Sequence, residues 1–105
     1  MHQLRPTLLK DGSEIIRIMN IAIQEGKNGY VKQLKDIIAD NWFNSLHSNS
    51  LCLISVEIDS MIVGWGSLTE YRGGRPSFDG TLEISFYVDP KFKRQGIGNS
   101  LVMHL

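Results

Sequence analysis

The segment LEISFYVDPKFKRQGIGNSLVMHL, Leu82–Leu105, contains the pattern of a strand, a short basic turn, two glycines and the first turns of a helix. Val, Ile, Phe and Tyr dominate its first seven residues, which is typical of a strand. Pro90 then ends the hydrogen-bonded ladder because it has no N–H to donate. Gly96 and Gly98 open an apolar helix, whose first N–H groups and dipole can hold an anion. The segment therefore predicts a phosphate cradle.

Three known phosphate-binding patterns compete for this segment. A P-loop needs Gly-Lys-Ser/Thr, but Asn99 and Ser100 follow the second glycine. The dinucleotide fingerprint needs Gly or Ala where Leu101 stands, and a later acidic residue that the 105-residue chain does not supply. The third pattern fits best, because Val88-Asp89-Pro90 followed by Lys93–Gly98 resembles the acetyl-CoA pyrophosphate loop of the GNAT acetyltransferases, Gln/Arg-x-x-Gly-x-Gly/Ala. Lys93 occupies the usual Gln/Arg position, which is a departure from the pattern.

The resemblance implies acetyl-CoA as co-substrate and names the residues that would bind it. Backbone N–H groups of the fourth strand would hold the thioester oxygen and the pantetheine amides. The loop and the start of the helix would hold the pyrophosphate. The implied cofactor-binding residues are Phe86, Tyr87, Val88, Lys93, Arg94, Gln95, Gly96, Ile97, Gly98 and Asn99.

Composition limits the other possibilities. A formal net charge of +0 argues against a general nucleic-acid binder. Cys52 is the single cysteine, so it forms no internal disulfide and suits the reducing cytoplasm. No signal peptide and no bilayer-spanning apolar run is present. No His/Cys/Asp cluster has metal-ligand spacing, so we expect no metal.

Hydrophobic periodicity predicts a mixed α/β domain with the element order β-α-α-β-β-β-α. Asp11 and Glu14 have the spacing of an N-cap and its N3 partner, which starts the first helix. The predicted elements are a strand at Leu4–Leu9, a helix from Asp11 to Gly26, a second helix with the face Val31, Leu34, Ile38, Trp42 and Leu46, a hairpin of Leu51–Ile58 and Met61–Tyr71 turning at Asp59-Ser60, a strand at Leu82–Val88 and a helix at Gly96–Leu105.

This order is the opening of the GNAT fold, and further motifs resemble its phosphinothricin N-acetyltransferase branch. They are LRPTLLKDG at the start, Met19-Asn20, Trp42-Phe43, Ile62-Val63-Gly64-Trp65 and the segment Phe78–Val88. The resemblance implies a single GNAT domain over residues 1–105 that lacks the C-terminal strands and helix, as a fragment or as a truncated product. The fourth strand would then be an open edge, which favours a homodimer or a strand-paired oligomer.

Glu83 is the candidate general base for the incoming amine. It alternates with Ser85 and Tyr87 on one strand face, and a carboxylate on a strand covered on both faces is costly unless it is paired or used. The alternative is a solvated carboxylate or a partner of Arg72 or Arg75. The strand pattern leaves the two alternatives even, and the family resemblance, which places this Glu in the active site, favours catalysis.

The predicted function is transfer of the acetyl group of acetyl-CoA to the amino group of a small amino acid or analogue, of the phosphinothricin or methionine sulfoximine type. Arg72 and Arg75 are the candidates for holding a substrate carboxylate through paired hydrogen bonds. Phe78, the aromatic residue of the matching motif, is the third substrate-binding candidate. The alternative is a truncated, non-catalytic module that binds CoA or only self-associates.

Overall fold

Four strands and three helices follow one another in the predicted order β-α-α-β-β-β-α. They are seen in a computed structural model that describes residues 2–26, 33–70, 82–92 and 95–105. The elements are β1 (Gln3–Pro6), α1 (Gly12–Gln24), α2 (Asp36–Asn49), β2 (Cys52–Ile58), β3 (Met61–Glu70), β4 (Leu82–Val88) and α3 (Ile97–His104), with short 3₁₀ turns at Leu9–Asp11 and Pro90–Phe92.

The described strands form one antiparallel sheet in the order β1-β2-β3-β4. β2 and β3 are joined at Asp59 and Ser60, whose φ angles of 50° and 66° are those of a tight hairpin turn. β1 ends at Pro6 and lies at one edge, where a proline is tolerated. β4 lies at the other edge of the described sheet.

The helices cover both faces of the sheet, and each face has its own hydrophobic core. On one face α1 and α2 pack over β3, and Trp65 is 2 % exposed beneath them. On the other face α3 packs through Ile97 and Leu101 against Val56 and Val63. The described segments therefore form three layers, with α3 alone on its side.

A β-bulge and two glycines bring α3 close to the sheet. Glu57 pairs with Ile62 and Val56 pairs with Gly64, so β3 has one extra residue at this point. A Cβ atom on Gly64 would lie 3.2 Å from an Ile97 methyl group, and one on Gly66 would lie 2.9 Å from a Leu105 methyl group. β3 thus has both a bulge beside Gly64 and a close approach of α3 to its two glycines.

The predicted face of the second helix was correct for Trp42 and Leu46, which pack against the core, and wrong for Ile38. α2 begins at Asp36, so Leu34 is buried in the extended segment before it, while Val31 lies outside the described residues. Ile38 is 66 % exposed, and Ala39 and Phe43 are the buried residues of the helix. In this turn of the helix the small Ala39 is buried, and not the larger Ile38 as predicted.

Asp11 precedes the first helix as predicted, but its side chain does not cap it. Its carboxylate accepts hydrogen bonds from the Leu8 N–H at 2.7 Å and from both terminal nitrogens of Arg5 at 2.8 and 3.0 Å. The carboxylate therefore ties β1 to the turn before α1. Gly26 ends the first helix as predicted, with φ +70°.

Candidate functional site

A cavity of about 540 Å³ opens where the end of β4 meets the start of α3. Seven of the ten cofactor residues predicted from the sequence line it: Phe86, Tyr87, Val88, Gly96, Ile97, Gly98 and Asn99. The C-terminal half of α1 and Phe92 complete the described wall. This one cavity brings together strand and helix residues that the sequence separates by a turn.

The start of α3 offers backbone donors to this cavity. The first bond of the helix runs from the Ser100 N–H to the Gly96 carbonyl at 3.0 Å. The N–H groups of Ile97, Gly98 and Asn99 precede that bond, so helix geometry leaves them without a helical acceptor. Gly96 has φ +76°, a left-handed conformation that glycine adopts without strain, and this turns the chain into the helix. The arrangement suits an anion of the size of a pyrophosphate.

The free edge of β4 supplies a second row of backbone groups. The carbonyls of Ser85 and Tyr87 face β3, since they lie 3.4 and 3.2 Å from the Cβ positions of Gly66 and Gly64. Because backbone groups alternate along a strand, the N–H and C=O of Phe86 and Val88 point away from β3, toward the cavity. These groups can pair with an extended amide-containing chain such as pantetheine.

An ion pair with a buried carboxylate and a partly exposed arginine lies where β4 leads into the basic turn. Asp89 is 3 % exposed, and its carboxylate accepts from Arg17 of α1 at 2.8 Å and from the Lys91 N–H at 3.0 Å. Burial raises the pKa of Asp89, but the bonds from Arg17 and Lys91 and their charges outweigh it, so the pKa lies below its ordinary 3.8. Asp89 is therefore ionised at neutral pH.

Glu83 is exposed on the edge strand, so the burial expected for a strand covered on both faces does not occur among the described residues. Its cross-strand partner is Thr69, and it shares a face with Tyr87, which packs on Trp65 with ring centroids 5.2 Å apart. The carboxylate thus lies on the α1 and α2 face, two pairs beyond the aromatic residues.

The remaining predicted site residues lie outside the described segments: Arg72, Arg75, Phe78, Lys93 and Arg94. Gln95 is described and exposed directly before Gly96. The described residues thus include most of the predicted cofactor site and the catalytic candidate Glu83, but none of the three substrate-binding candidates.

The contribution of α1 to the cavity was not predicted from the sequence. Ile21, Ala22 and Glu25 line it together with Phe92. Their apolar spacing indicated only a helix face that packs on the sheet, and no local motif marks the end of a helix as a cavity wall. Their role depends on how α1 crosses β4.

No described group of three or more His, Cys, Asp or Glu side chains is arranged to hold a metal ion. None of the described helices has the length and apolar character needed to cross a membrane.

Comparison with protein families identifies the chain. The model of the acetyltransferase (GNAT) family matches residues 15–105, so the chain belongs to this family. No curated protein sequence matches it at a significant level.

Solved structures show the same fold. An N-acetyltransferase from Staphylococcus aureus Mu50 has a TM-score of 0.86 at 23 % identity, over 99 % of this chain and 63 % of that one. A GNAT superfamily phosphinothricin acetyltransferase from Sinorhizobium meliloti, in complex with AcCoA, has a TM-score of 0.85 at 20 % identity, over 99 % and 57 %. A GNAT family acetyltransferase from Brucella melitensis, in complex with acetyl-CoA, has a TM-score of 0.72 at 20 % identity, over 99 % and 65 %. The chain therefore spans about 60 % of the length of these structures.

Proposed function

We propose that the protein is an acetyl-CoA-dependent N-acetyltransferase that acetylates the amino group of a small amino acid or analogue. The observation that carries this proposal is the cavity in which the free edge of β4 meets the N-terminus of α3. Membership of the GNAT family supports it, and so do the relatives solved with acetyl-CoA.

The proposed site offers distinct groups for the pyrophosphate and for the pantetheine thioester of acetyl-CoA. The N–H groups before the first bond of α3, with Lys93 and Arg94 of the preceding turn, are assigned to the pyrophosphate. The outward backbone groups of Phe86 and Val88 are assigned to the pantetheine amides and the thioester oxygen. A donor aimed at that oxygen stabilises the negative charge that develops on it in the transition state.

Glu83 is assigned the role of general base. Attack on the thioester needs a neutral amine, and a carboxylate on the β4 face can accept the amine proton directly or through a water molecule. Its exposure in the described residues leaves it accessible to an incoming substrate. Collapse of the adduct would break the C–S bond, and CoA would leave as the thiolate, which takes its proton from water.

The substrate class rests on the resemblance stated for residues 72–83. Arg72 and Arg75 would hold a substrate carboxylate in paired hydrogen bonds, and Phe78 would pack on its side chain. An α-amino group held in this way would face Glu83. The name of the relative from Sinorhizobium meliloti, a phosphinothricin acetyltransferase, agrees with this class.

Calorimetric titration with CoA tests the cofactor site. Gly96→Val forces a β-branched residue into a left-handed conformation at the cavity, so we expect affinity to fall by at least about tenfold. Gly26→Val is the matched control, because Gly26 has φ +70° and, like Gly96, has no atom of the described residues within 4 Å of its Cβ position. Equal affinity of the Gly96 variant and the wild type would remove the cofactor assignment.

An acetyl-transfer assay tests the base. We expect Glu83→Gln to lower kcat by about 10²-fold or more while CoA affinity stays at the wild-type value. Asp40→Asn, which changes an exposed carboxylate of α2, should keep wild-type turnover. If Glu83→Gln keeps wild-type turnover, Glu83 is structural.

A panel of amino acids, polyamines and aminoglycosides tests the substrate class. We expect turnover with amino acids and a higher KM for them in the Arg72→Ala/Arg75→Ala double variant. Preference for a polyamine or an aminoglycoside contradicts the class. CoA binding without turnover of any amine favours instead the non-catalytic, CoA-binding module.

Two further features belong to this proposal. The protein is assigned to the cytoplasm, where Cys52 would stay reduced. It is assigned a homodimeric or strand-paired state through the first part of the edge strand β4, before the residues assigned to pantetheine, where Leu82 and Ile84 are 50 % and 45 % exposed.

A further inference from the structure

We propose that Arg17 of α1 is a positioning residue for CoA binding, which holds in place the turn that leads into the proposed CoA pyrophosphate loop. This inference rests on the proposed function. It concerns the segment Asp89–Phe92, here named the Asp89 turn, which connects β4 to the loop of Lys93–Gly98.

Backbone bonds and one carboxylate hold the Asp89 turn in place. The Asp89 N–H donates to the Val63 carbonyl at 2.8 Å, which continues the ladder one residue past β4. The Asp89 carbonyl accepts from the Phe92 N–H at 2.8 Å, and its carboxylate accepts from the Lys91 N–H at 3.0 Å. Asp89 therefore connects the sheet, the turn and, through Phe92, the wall of the cavity.

Arg17 orients that carboxylate. Its Nη1 donates to Asp89 Oδ2 at 2.8 Å, which leaves Oδ1 for the Lys91 N–H. Its Nη2 donates to the Ile62 carbonyl at 3.2 Å, beside the bulge, and its Nε donates to Glu14 at 2.9 Å. One guanidinium thus connects α1, β3 and the Asp89 turn. A flexible ammonium cannot reproduce this planar fork.

The position of this contact argues for a role beyond stability. The contacts of Arg17 with Asp89 and with the Ile62 carbonyl fix α1 relative to the end of β4, and α1 supplies Ile21, Ala22 and Glu25 to the cavity. The contact with Asp89 also holds the Asp89 turn, whose Phe92 lines the same cavity. Loss of the guanidinium would leave a buried carboxylate without its cationic partner, so the turn has to rearrange to hydrate it.

A second arginine in the chain provides a matched control. Arg5 pairs with Asp11 at 2.8 Å, Asp11 is 5 % exposed, and the pair connects β1 to the turn before α1. None of these elements lines the cavity. Arg5→Met and Arg17→Met each remove an arginine from a buried aspartate, but only the second touches the proposed loop.

CoA binding and thermal unfolding are to be measured for the wild type and for both variants. We expect both to lower the melting temperature, but only Arg17→Met to weaken CoA binding, by about tenfold. Arg17→Lys should fall between wild type and Arg17→Met. Binding of pantetheine, which lacks the pyrophosphate, should be equal in the wild type and both arginine-to-methionine variants when followed by NMR titration.

Amide hydrogen exchange gives a readout that does not depend on the ligand. In Arg17→Met the Lys91 and Phe92 amides should exchange at least about tenfold faster than in wild type, and in Arg5→Met at the wild-type rate. If Arg17→Met does not fold, Arg17→Lys carries both measurements.

The outcomes separate this inference from the proposed function. If wild-type protein does not bind CoA, the proposed function fails and this inference fails with it. If wild type binds CoA and the Arg17 variants bind it equally well, only the positioning role is overturned. A similar loss of CoA affinity in Arg5→Met also overturns it, because the effect is then one of general stability.

Discussion

Asp11 and Asp89 are buried carboxylates, and each is held beside an arginine. The bond from Arg5 is the largest influence on Asp11, and it lowers the pKa of that carboxyl group against the opposing effect of burial. At Asp89 burial is the largest influence and acts in the opposite direction, but the hydrogen bonds outweigh it. Both groups therefore have a pKa below the ordinary value of 3.8.

The sign of the resulting pH dependence follows from linkage. A carboxyl group with a lowered folded-state pKa stabilises the protein above its unfolded pKa, and that contribution is lost as the pH falls through the folded value. We expect Asp11→Asn to be less stable than wild type in urea unfolding between pH 5 and 7. The difference should shrink as the pH falls below 3.8.

The control for this prediction is Asp40→Asn, which changes an exposed carboxylate of α2. Its difference from wild type should be small and should vary little over the same range. A difference for Asp11→Asn that is as large at pH 2.5 as at pH 7 would show that the Asn variant is destabilised by packing and not by lost charge.

At the scale of single residues, the sequence predicted which residue types matter better than it predicted their hydrogen-bond partners. It placed Gly96 and Gly98 at the start of the third helix from the order of strand, proline, basic turn and two glycines, and α3 begins at Ile97. It assigned Asp11 to helix capping because Glu14 stands three residues later, whereas the carboxylate bonds to Arg5 of β1. Arg17 and Asp89 are 72 residues apart, so no local pattern could join them.

At the level of the elements, the two glycines of β3 set the distance between the sheet and α3. A Cβ on Gly64 would meet the Tyr87 carbonyl at 3.2 Å as well as Ile97, and neither the backbone nor the buried side chain has room to move. A Cβ on Gly66 would meet the Leu105 side chain at 2.9 Å, beyond the last turn of α3. The two positions differ in what has to give way.

We therefore expect Gly64→Ala to cost more stability than Gly66→Ala. Overpacking of this kind costs about 1–3 kcal/mol, and Gly64→Ala should lie toward the upper end because its neighbours are fixed. Gly66→Ala should cost less because the far end of Leu105 can rotate away. Urea unfolding of the two variants measures the difference, and equal losses would show that α3 moves as a rigid body.

The sequence predicted the existence and order of the elements, because strand composition and turn residues are local signals. No local signal in the sequence determines which face of α2 is buried. Ile38 matches a helical period with Trp42 and Leu46, yet Ala39 and Phe43 face α1 because Phe43 packs on Gly12. Small residues such as Gly12 and Ala39 allow two helices to approach closely, but they contribute less to the hydrophobic periodicity of the sequence than a large apolar residue does.

Across the whole molecule, the apolar side chains of β4 remain open on the α3 face. Leu82, Ile84 and Phe86 alternate along the strand and are exposed, while α3 covers the glycines of the neighbouring strand. An edge strand with an apolar face is a template for pairing with another chain.

We expect the chain to self-associate through this edge. Ile84→Lys places a charge on the strand and should yield a monomer of 11.9 kDa in sedimentation. Met103→Lys changes a side chain of α3 that is 85 % exposed and lies away from the edge, so it should associate as wild type does. A wild-type chain that sediments as a monomer contradicts this expectation.

The strand order also predicts the order in which the strand pairs form during folding. β2, β3 and β4 are neighbours in sequence and in space, so each pairing closes a short loop, whereas β1 reaches β2 across both helices. Arg5 and Glu57, which meet across that pairing, are 52 residues apart. During synthesis β1 is made before α1, α2 and β2, so it cannot pair with β2 until both helices have been made. We expect the docking of β1 on β2 to be the slow, long-range step of folding. A substitution that weakens β1 should therefore raise the unfolding rate more than it lowers the rate at which the other three strands assemble.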